Sequence, residues 1–109
     1  MPLLLPENRH GGESMTAVII SGGKVNGRPI LKAWESFSGW YWFATEKTGD
    51  QLSDFGDGKP VQDTIWYGFV IGTCPEWGYF SEKEIMSLAP LVWEIQPRDI
   101  PYVNKEVRA

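Results

Sequence analysis

The chain has 109 residues, a formal net charge of −4 and an aromatic share of 14%, with 6 tryptophans. This length predicts one domain, and the acidic balance argues against a duplex DNA-binding protein, which normally presents a basic face. The single cysteine excludes an internal disulfide and a cysteine-rich zinc site. No apolar run reaches the ~18 residues of a membrane span, so we expect a cytoplasmic protein.

The first third of the chain predicts an arm followed by a hairpin. Residues 1–14 hold prolines and glycines without periodicity and are predicted to form a mobile arm, ahead of a β-rich domain over residues 15–109. Met15–Ile20 and Ile30–Glu35 are predicted strands. Asn26-Gly27 lies between them and is a strong tight-turn dipeptide, because both positions tolerate positive φ. The two strands are therefore expected to pair as a hairpin.

Three aromatic blocks occupy the centre of the chain, and each predicts a strand. Trp40–Glu46 is apolar on both of its alternating faces, which is typical of a strand in a sheet covered on both sides. Thr64–Ile71 and Trp77–Phe80 hold the other two blocks. Between the first two blocks, Lys47–Asp63 contains four aspartates and several turn residues, and it is predicted to be a long loop.

The last third of the chain predicts one helix. Ser81 is followed three residues later by Glu84, a capping box that predicts a helix over Glu82–Leu88. Leu91–Ile95 is predicted to be the last strand, followed by an extended tail. The order of elements predicts an α+β fold in which β dominates, with a twisted antiparallel sheet of four to six strands and one short helix after residue 81.

Candidate metal and catalytic groups are few. His10 is the only histidine and lies in the arm, so no metal site and no cofactor are predicted. The aspartates of Lys47–Asp63 lack the spacing of a calcium loop. Cys74 lies in a turn without a base to activate it and is expected to be a partly buried thiol. One catalytic alternative is a small hydrolase with a carboxylate pair, which glycoside hydrolysis needs at about 5–9.5 Å. Its candidates near strand ends are Glu35, Glu46, Glu76 and Asp99.

The aromatic residues divide into expected core and candidate binding residues. The expected core rings are Trp42, Phe43, Phe69, Tyr79 and Phe80. Tryptophans on an outer sheet face can stack on bases or anchor a protein interface. The residues predicted to form such a face are Trp34, Trp40, Trp66 and Trp77, with Arg98 as a polar anchor. A small basic patch that could serve a nucleotide or a single-stranded nucleic acid is formed by Lys24, Arg28 and Lys32.

The order of the motifs carries a family resemblance over about residues 30–103. Its segments are Leu31-Lys32-Ala33-Trp34, Trp40-Tyr41-Trp42-Phe43-Ala44-Thr45-Glu46, Trp66-Tyr67-Gly68-Phe69-Val70-Ile71-Gly72, Glu76-Trp77-Gly78-Tyr79-Phe80-Ser81-Glu82-Lys83-Glu84-Ile85 and Arg98-Asp99. This series resembles a family of small proteins of unknown function carried on plasmids, integrating elements and phages. The Gly-Tyr-Phe-Ser block is its most specific part. The resemblance implies a mobile-element setting, where neighbouring genes often encode antirestriction or transfer proteins.

These observations predict a non-catalytic binding protein of a phage or other mobile element. It would present an aromatic-rich face to a host protein or to a protein encoded by the element, and the resemblance favours a role in counter-defence. Two alternatives stay open: a nucleotide or single-stranded nucleic-acid binding module, and the carboxylate-dependent hydrolase. Exposed tryptophans and a free sheet edge would both favour a homodimer.

Overall fold

The computed structural model describes residues 15–53, 56 and 58–108, and the predicted arm at 1–14 lies outside them. Within these residues the chain forms nine strands, one α-helix and one 3-10 helix. The elements are β1 (Met15–Ser21), β2 (Lys24–Val25), β3 (Arg28–Pro29), β4 (Lys32–Ser36), β5 (Tyr41–Ser53), β6 (Val61–Ile71), β7 (Pro75–Ser81), α1 (Glu82–Met86), β8 (Val92–Ile95), the 3-10 helix (Pro97–Asp99) and β9 (Val103–Arg108).

The strands form two antiparallel sheets. The small sheet has the order β3-β2-β1-β9 and the large sheet has the order β7-β6-β5-β4-β8. The β-dominant class with one short α-helix after residue 81 is confirmed, whereas the prediction of a single sheet is wrong. The tail was expected only to be extended, but β9 pairs with β1 along its whole length. Its residues are mostly polar and exposed, so pairing with β1 rather than an apolar pattern makes this segment a strand.

The predicted hairpin between Met15–Ile20 and Ile30–Glu35 is wrong. β1 turns back at once into β2, where Val25 pairs with Ile20. Asn26-Gly27 then connects β2 to β3, with φ angles of 49° and 83°, which confirms the turn itself. Two consecutive tight turns thus place three strands of the small sheet before Lys32, and the next strand, β4, pairs with β5 in the large sheet.

The predicted loop over Lys47–Asp63 is largely strand. β5 continues to Ser53 and β6 begins at Val61, so the two form a long antiparallel ribbon. The pairing register shifts between Ala44 and Glu46 and again between Lys47 and Gly49. Each bulge moves the following side chains to the opposite face, which hides the period of two that would have predicted a strand.

The large sheet is covered on both faces. One face packs against the small sheet in a cluster that contains Val18, Ile20, Val25, Ile30, Phe43, Phe69, Ile100 and Val107. The opposite face, which we call the helix side, carries a second cluster of Trp34, Trp42, Ala44, Trp66, Val70, Phe80, Ile85 and Val92. The double coverage predicted from Trp40–Glu46 is confirmed, because Trp42 lies in the second cluster and Phe43 in the first.

Helix α1 is fixed to the large sheet at its first turn. Ser81 Oγ accepts a hydrogen bond from the Glu84 backbone N–H at 3.0 Å, as the capping box predicts. The buried Asp63 of β6 accepts a bond from Ser81 Oγ and another from the Lys83 backbone N–H at 2.9 Å. The helix ends at Met86, two residues before the predicted end. Among the described residues, no helix has the length and apolar character needed to cross a membrane.

Candidate functional site

The five predicted binding residues do not share a surface. Trp34 is fully buried and Trp66 is 9% exposed, both in the helix-side cluster. Trp40 is half-buried beside that cluster, and Trp77 is half-buried against the opposite one. Arg98 is exposed on the 3-10 helix. A sheet covered on both faces has no free outer face at its central strands, so tryptophans there become core.

The expected core rings are buried with one exception. Trp42, Phe43, Phe69 and Phe80 are each at most 5% exposed. Tyr79 is 48% exposed, so its expected burial is wrong. It lies on β7, an edge strand of the large sheet. An edge strand has a neighbouring strand on one side only, so the Tyr79 side chain keeps about half of its surface exposed.

An apolar concavity of about 380 Å³ lies on the helix side, between α1, β8 and the turn from β4 to β5. We call it the apolar groove. Its apolar lining is formed by Phe37, Trp40, Trp42, Ile85, Leu88, Leu91 and Val92. Of the described residues that line the apolar groove, only Glu84 is charged. The groove therefore offers mainly hydrocarbon and aromatic surface.

Hydrogen bonds fix the turn that forms one wall of the apolar groove. Ser36 Oγ bonds with Ser38 Oγ at 2.8 Å and accepts from the Trp40 backbone N–H at 3.0 Å. The Phe37 backbone N–H donates to the Leu91 carbonyl at 2.8 Å, so the turn is tied to the segment before β8. The position of this wall thus depends on hydrogen bonds that use neither the Phe37 nor the Leu91 side chain, so a change of either side chain would leave them in place.

Gly72 makes room for the Trp40 ring on the floor of the groove. A Cβ added at Gly72 would lie 2.5 Å from the nearest atom of that ring. Trp40 in turn packs against Trp42, with 5.7 Å between the ring centroids. The close approach of ring to backbone at Gly72 therefore sets where Trp40 lies.

The rim of the apolar groove is exposed. Phe37 is 81% exposed, Leu91 60% and Leu88 51%. None of the three was singled out from the sequence. Their signal is weak, because Phe37 sits between two serines in a turn and the leucines flank Pro90 after a helix. The sequence around the three residues thus indicates turns rather than a binding rim.

A second concavity of about 280 Å³ lies between the β2–β3 hairpin and strands β6 and β7. We call it the aromatic cleft. It is lined by Val25, Asn26, Arg28, Tyr67 and Trp77. The rings of Tyr67 and Trp77 are stacked, with 6.0 Å between centroids and 13° between planes. The cleft thus brings together Arg28, a residue of the predicted basic patch, and Trp77, one of the candidate tryptophans.

The basic patch predicted from Lys24, Arg28 and Lys32 does not form. Lys32 Nζ is 2.7 Å from Glu82 Oε2 and lies 5.6 Å from the Trp34 ring centroid. Arg28 pairs directly with Val25, so it shares the face of that buried residue, whereas Lys24 points to the other face of β2. The three cationic side chains therefore lie in three different environments and do not form one patch.

Trp66 and Lys32 are joined through the first residue of α1. Glu82 Oε1 accepts from Trp66 Nε1 at 2.8 Å, while Glu82 Oε2 pairs with Lys32. Both contacts hold α1 against the large sheet. We therefore assign Trp66 and Lys32 a positioning role for the helix rather than a place on a binding surface.

The candidate carboxylates of the large sheet are kept apart. Glu35 lies on β4 and Glu76 on β7, three strands away, which is roughly 14 Å at the usual strand spacing. Glu35 Oε2 accepts a bond from the Tyr41 hydroxyl at 2.9 Å. Burial, followed by this bond and the charge of Glu35, raises the pKa of Tyr41 above its ordinary value of 10.0. This arrangement gives a catalytic pair of Glu35 and Glu76 no support.

The remaining reactive groups are dispersed. Among the described residues there is no group of three or more His, Cys, Asp or Glu side chains placed to hold a metal ion. Asp50 pairs with Lys47 at 3.6 Å, and Asp63 caps α1. Cys74 is exposed in the turn between β6 and β7, so the expectation of a partly buried thiol is wrong. Arg98 forms no ion pair with Asp99 in the part of the chain that the structure describes.

Comparison with known proteins gave no match to a protein-family model, a curated protein or a solved structure. The resemblance to the mobile-element family therefore stays a prediction. Function has to be argued from the apolar groove and the aromatic cleft themselves.

Proposed function

We propose that this protein is a non-catalytic binding protein whose apolar groove takes a short segment of a partner protein. The observation that carries the proposal is the exposed rim of Phe37, Leu88 and Leu91 around one concavity. Contiguous apolar surface of this kind marks interaction sites on folded proteins. Burying a fully exposed side chain of this kind contributes about 1.5–3 kcal/mol, and the exposed fractions of these three supply a corresponding part of that driving force for association.

The charge at the groove favours a particular kind of partner segment. Glu84 lies in the lining and the whole chain carries a net charge of −4. Complementary charge speeds encounter and disfavours wrong partners. The segment is therefore proposed to carry two or three apolar anchor side chains with a lysine or arginine beside them.

The partner is proposed to be a host protein, in the setting of a phage or other mobile element. The support for this part is the motif resemblance over residues 30–103, which points to such elements and to counter-defence. The support for the groove is independent of that setting. A protein from any source with the required segment would test the groove.

Selection from a displayed library of random peptides tests the proposed function. We expect the wild-type protein to enrich peptides that combine apolar anchors with a basic residue. A second selection uses a variant with the two rim substitutions Phe37→Ser and Leu91→Ser, which are expected to leave the fold intact because both side chains are exposed. The proposal fails if the wild-type protein enriches no such motif, or if the rim variant enriches the same one.

Leu52→Ser supplies the matched control for this selection. Leu52 is 68% exposed and lies on β5 roughly 30 Å along the strand from Trp42. The control makes the same chemical change away from the groove. We expect it to enrich the wild-type motif, which separates loss of the groove from a general fall in surface hydrophobicity.

A further inference from the structure

The aromatic cleft carries an inference that is independent of the apolar groove. We infer that the cleft binds a single nucleotide unit, with the base on the rings of Trp77 and Tyr67 and the phosphate on Arg28. The cleft lies on the small-sheet side of the large sheet, whereas the groove lies on the helix side. The two sites can therefore be tested separately.

The cleft contains a stacked pair of rings, and a flat ligand can extend this stack. Tyr67 and Trp77 are nearly parallel, and Tyr79 packs edge-on against Tyr67 with 4.9 Å between centroids. Trp77 also packs against the Phe69 ring, with 5.2 Å between centroids and 55° between planes. Fixed aromatic faces favour stacking by a nucleobase, because little side-chain freedom is lost on binding.

Arg28 supplies a guanidinium that the rest of the described chain does not use. It is exposed and lines the cleft, yet within the described residues it forms no ion pair, no side-chain hydrogen bond and no ring contact. Lys32 differs, because it is already paired with Glu82. A guanidinium presents parallel N–H donors that match two oxygens of a phosphate, so Arg28 can hold a phosphate through two hydrogen bonds.

The dimensions of the cleft set the size of the ligand. A volume of 280 Å³ is just under the range of about 300–1,000 Å³ usual for small-molecule sites. One base and one phosphate match the paired rings and the single cation. A strand of nucleic acid needs a longer cationic track, and the net charge of −4 opposes one. The site therefore fits a mononucleotide better than a polymer.

Titration of the labelled protein by two-dimensional NMR tests the inference. The probes are uridine monophosphate, uridine and inorganic phosphate, each added up to about 10 mM, a range suited to weak ligands of this size. We expect the monophosphate to shift the Trp77 indole and the Tyr67 and Arg28 amide signals. We also expect it to bind about tenfold or more tightly than uridine or phosphate alone, because only the monophosphate uses both halves of the site.

Two variants make the NMR result specific. Arg28→Gln removes the cation and is expected to lower the affinity for the monophosphate to that for uridine. Lys24→Gln removes a cation of the same hairpin on its other face and is expected to change nothing. The unperturbed remainder of each spectrum reports that the variant is folded. Shifts absent from the cleft with all three probes, or an Arg28→Gln affinity equal to wild type, would overturn the inference.

A further titration with hexauridylate, a strand of six nucleotides, distinguishes a free nucleotide from a nucleic-acid strand as the ligand. Affinity per site equal to that of the monophosphate, with a weak dependence on salt, supports a free nucleotide. Much tighter, strongly salt-dependent binding of the hexamer that Arg28→Gln weakens overturns the inference, because the cleft would then belong to a site for a strand of nucleic acid. Failure of the cleft leaves the groove proposal unaffected, since the peptide selection does not involve Arg28.

Discussion

Trp34 shows at the residue scale what a doubly covered sheet requires of an aromatic side chain. It is fully buried, with Phe80 and Trp66 at centroid distances of 6.0 and 6.4 Å. Its indole N–H is buried without a hydrogen-bond partner among the described residues. The stabilisation from Trp34 therefore comes from ring packing, reduced by one unpaired donor.

Replacing Trp34 tests how much of its stabilisation comes from packing of the ring. We expect Trp34→Ala to lower the free energy of unfolding by about 3–5 kcal/mol, through lost burial and the cavity left behind. Trp34→Phe keeps a ring and removes the unpaired donor, so its loss should be clearly smaller. Urea unfolding followed by circular dichroism measures both. Equal losses for the two variants would contradict the assignment of the stabilisation to ring packing, because only Trp34→Phe keeps a ring.

The raised pKa of Tyr41 predicts how stability depends on alkaline pH. In the folded protein the Tyr41 phenol stays protonated at pH values at which it has already ionised in the unfolded chain. As pH rises, the unfolded state therefore releases this proton first. The contribution of Tyr41 to stability is thus complete below about pH 10 and lost as pH rises through the folded pKa.

Comparison of wild type with Tyr41→Phe isolates this effect. The difference in phenolate absorbance between the two proteins should show a midpoint above 10.0. Unfolding measured from pH 9 upward should show the wild type losing stability more steeply than the variant once pH passes about 10. Parallel curves, or a midpoint at or below 10.0, would contradict the assigned burial and the bond to Glu35.

At the element scale, α1 depends on a few polar contacts with the large sheet. Its five residues are too few to be stable alone. Asp63 receives two hydrogen bonds at the helix start, and Glu82 ties the first turn to Lys32 and Trp66. These contacts also set the wall of the apolar groove, because Ile85 of α1 belongs to its lining.

Removing the carboxylate at the helix start tests this anchoring. Asp63→Ala leaves the Ser81 hydroxyl and the Lys83 N–H without their acceptor, so we expect a loss of about 2–3 kcal/mol in the free energy of unfolding. Asp50→Ala is the matched control. Asp50 is exposed, with one ion pair and one bond from Thr64, and its loss should stay below about 1 kcal/mol. Similar losses for the two variants would refute the anchoring role.

At the scale of the whole molecule, the sequence predicted individual turns and the start of the helix better than it predicted which strands pair with each other. Asn26-Gly27 and the Ser81 capping box act over a few residues, and both were predicted correctly. The split into two sheets depends on which strands meet, for which a single sequence carries no direct signal. Bulges in β5 further concealed the longest ribbon of the fold.

The candidate sites were harder to predict than the core. Trp34 and Trp66 are buried because α1 and the small sheet cover both faces of the large sheet. This coverage depends on tertiary packing, which the amino-acid composition does not predict. Trp40 and Trp77 do border concavities, though on opposite sides. Phe37 at the groove rim was missed, since a lone aromatic residue in a turn has no periodicity to mark it.

The central claim is that the apolar groove binds a protein segment, and the affinity of a library-selected peptide tests it most directly. Calorimetric titration of that peptide should give affinities for wild type and Leu52→Ser that agree within about twofold. The Phe37→Ser, Leu91→Ser variant should bind at least about tenfold more weakly, a loss of about 1.4 kcal/mol or more. Equal binding by wild type and the rim variant would contradict the claim.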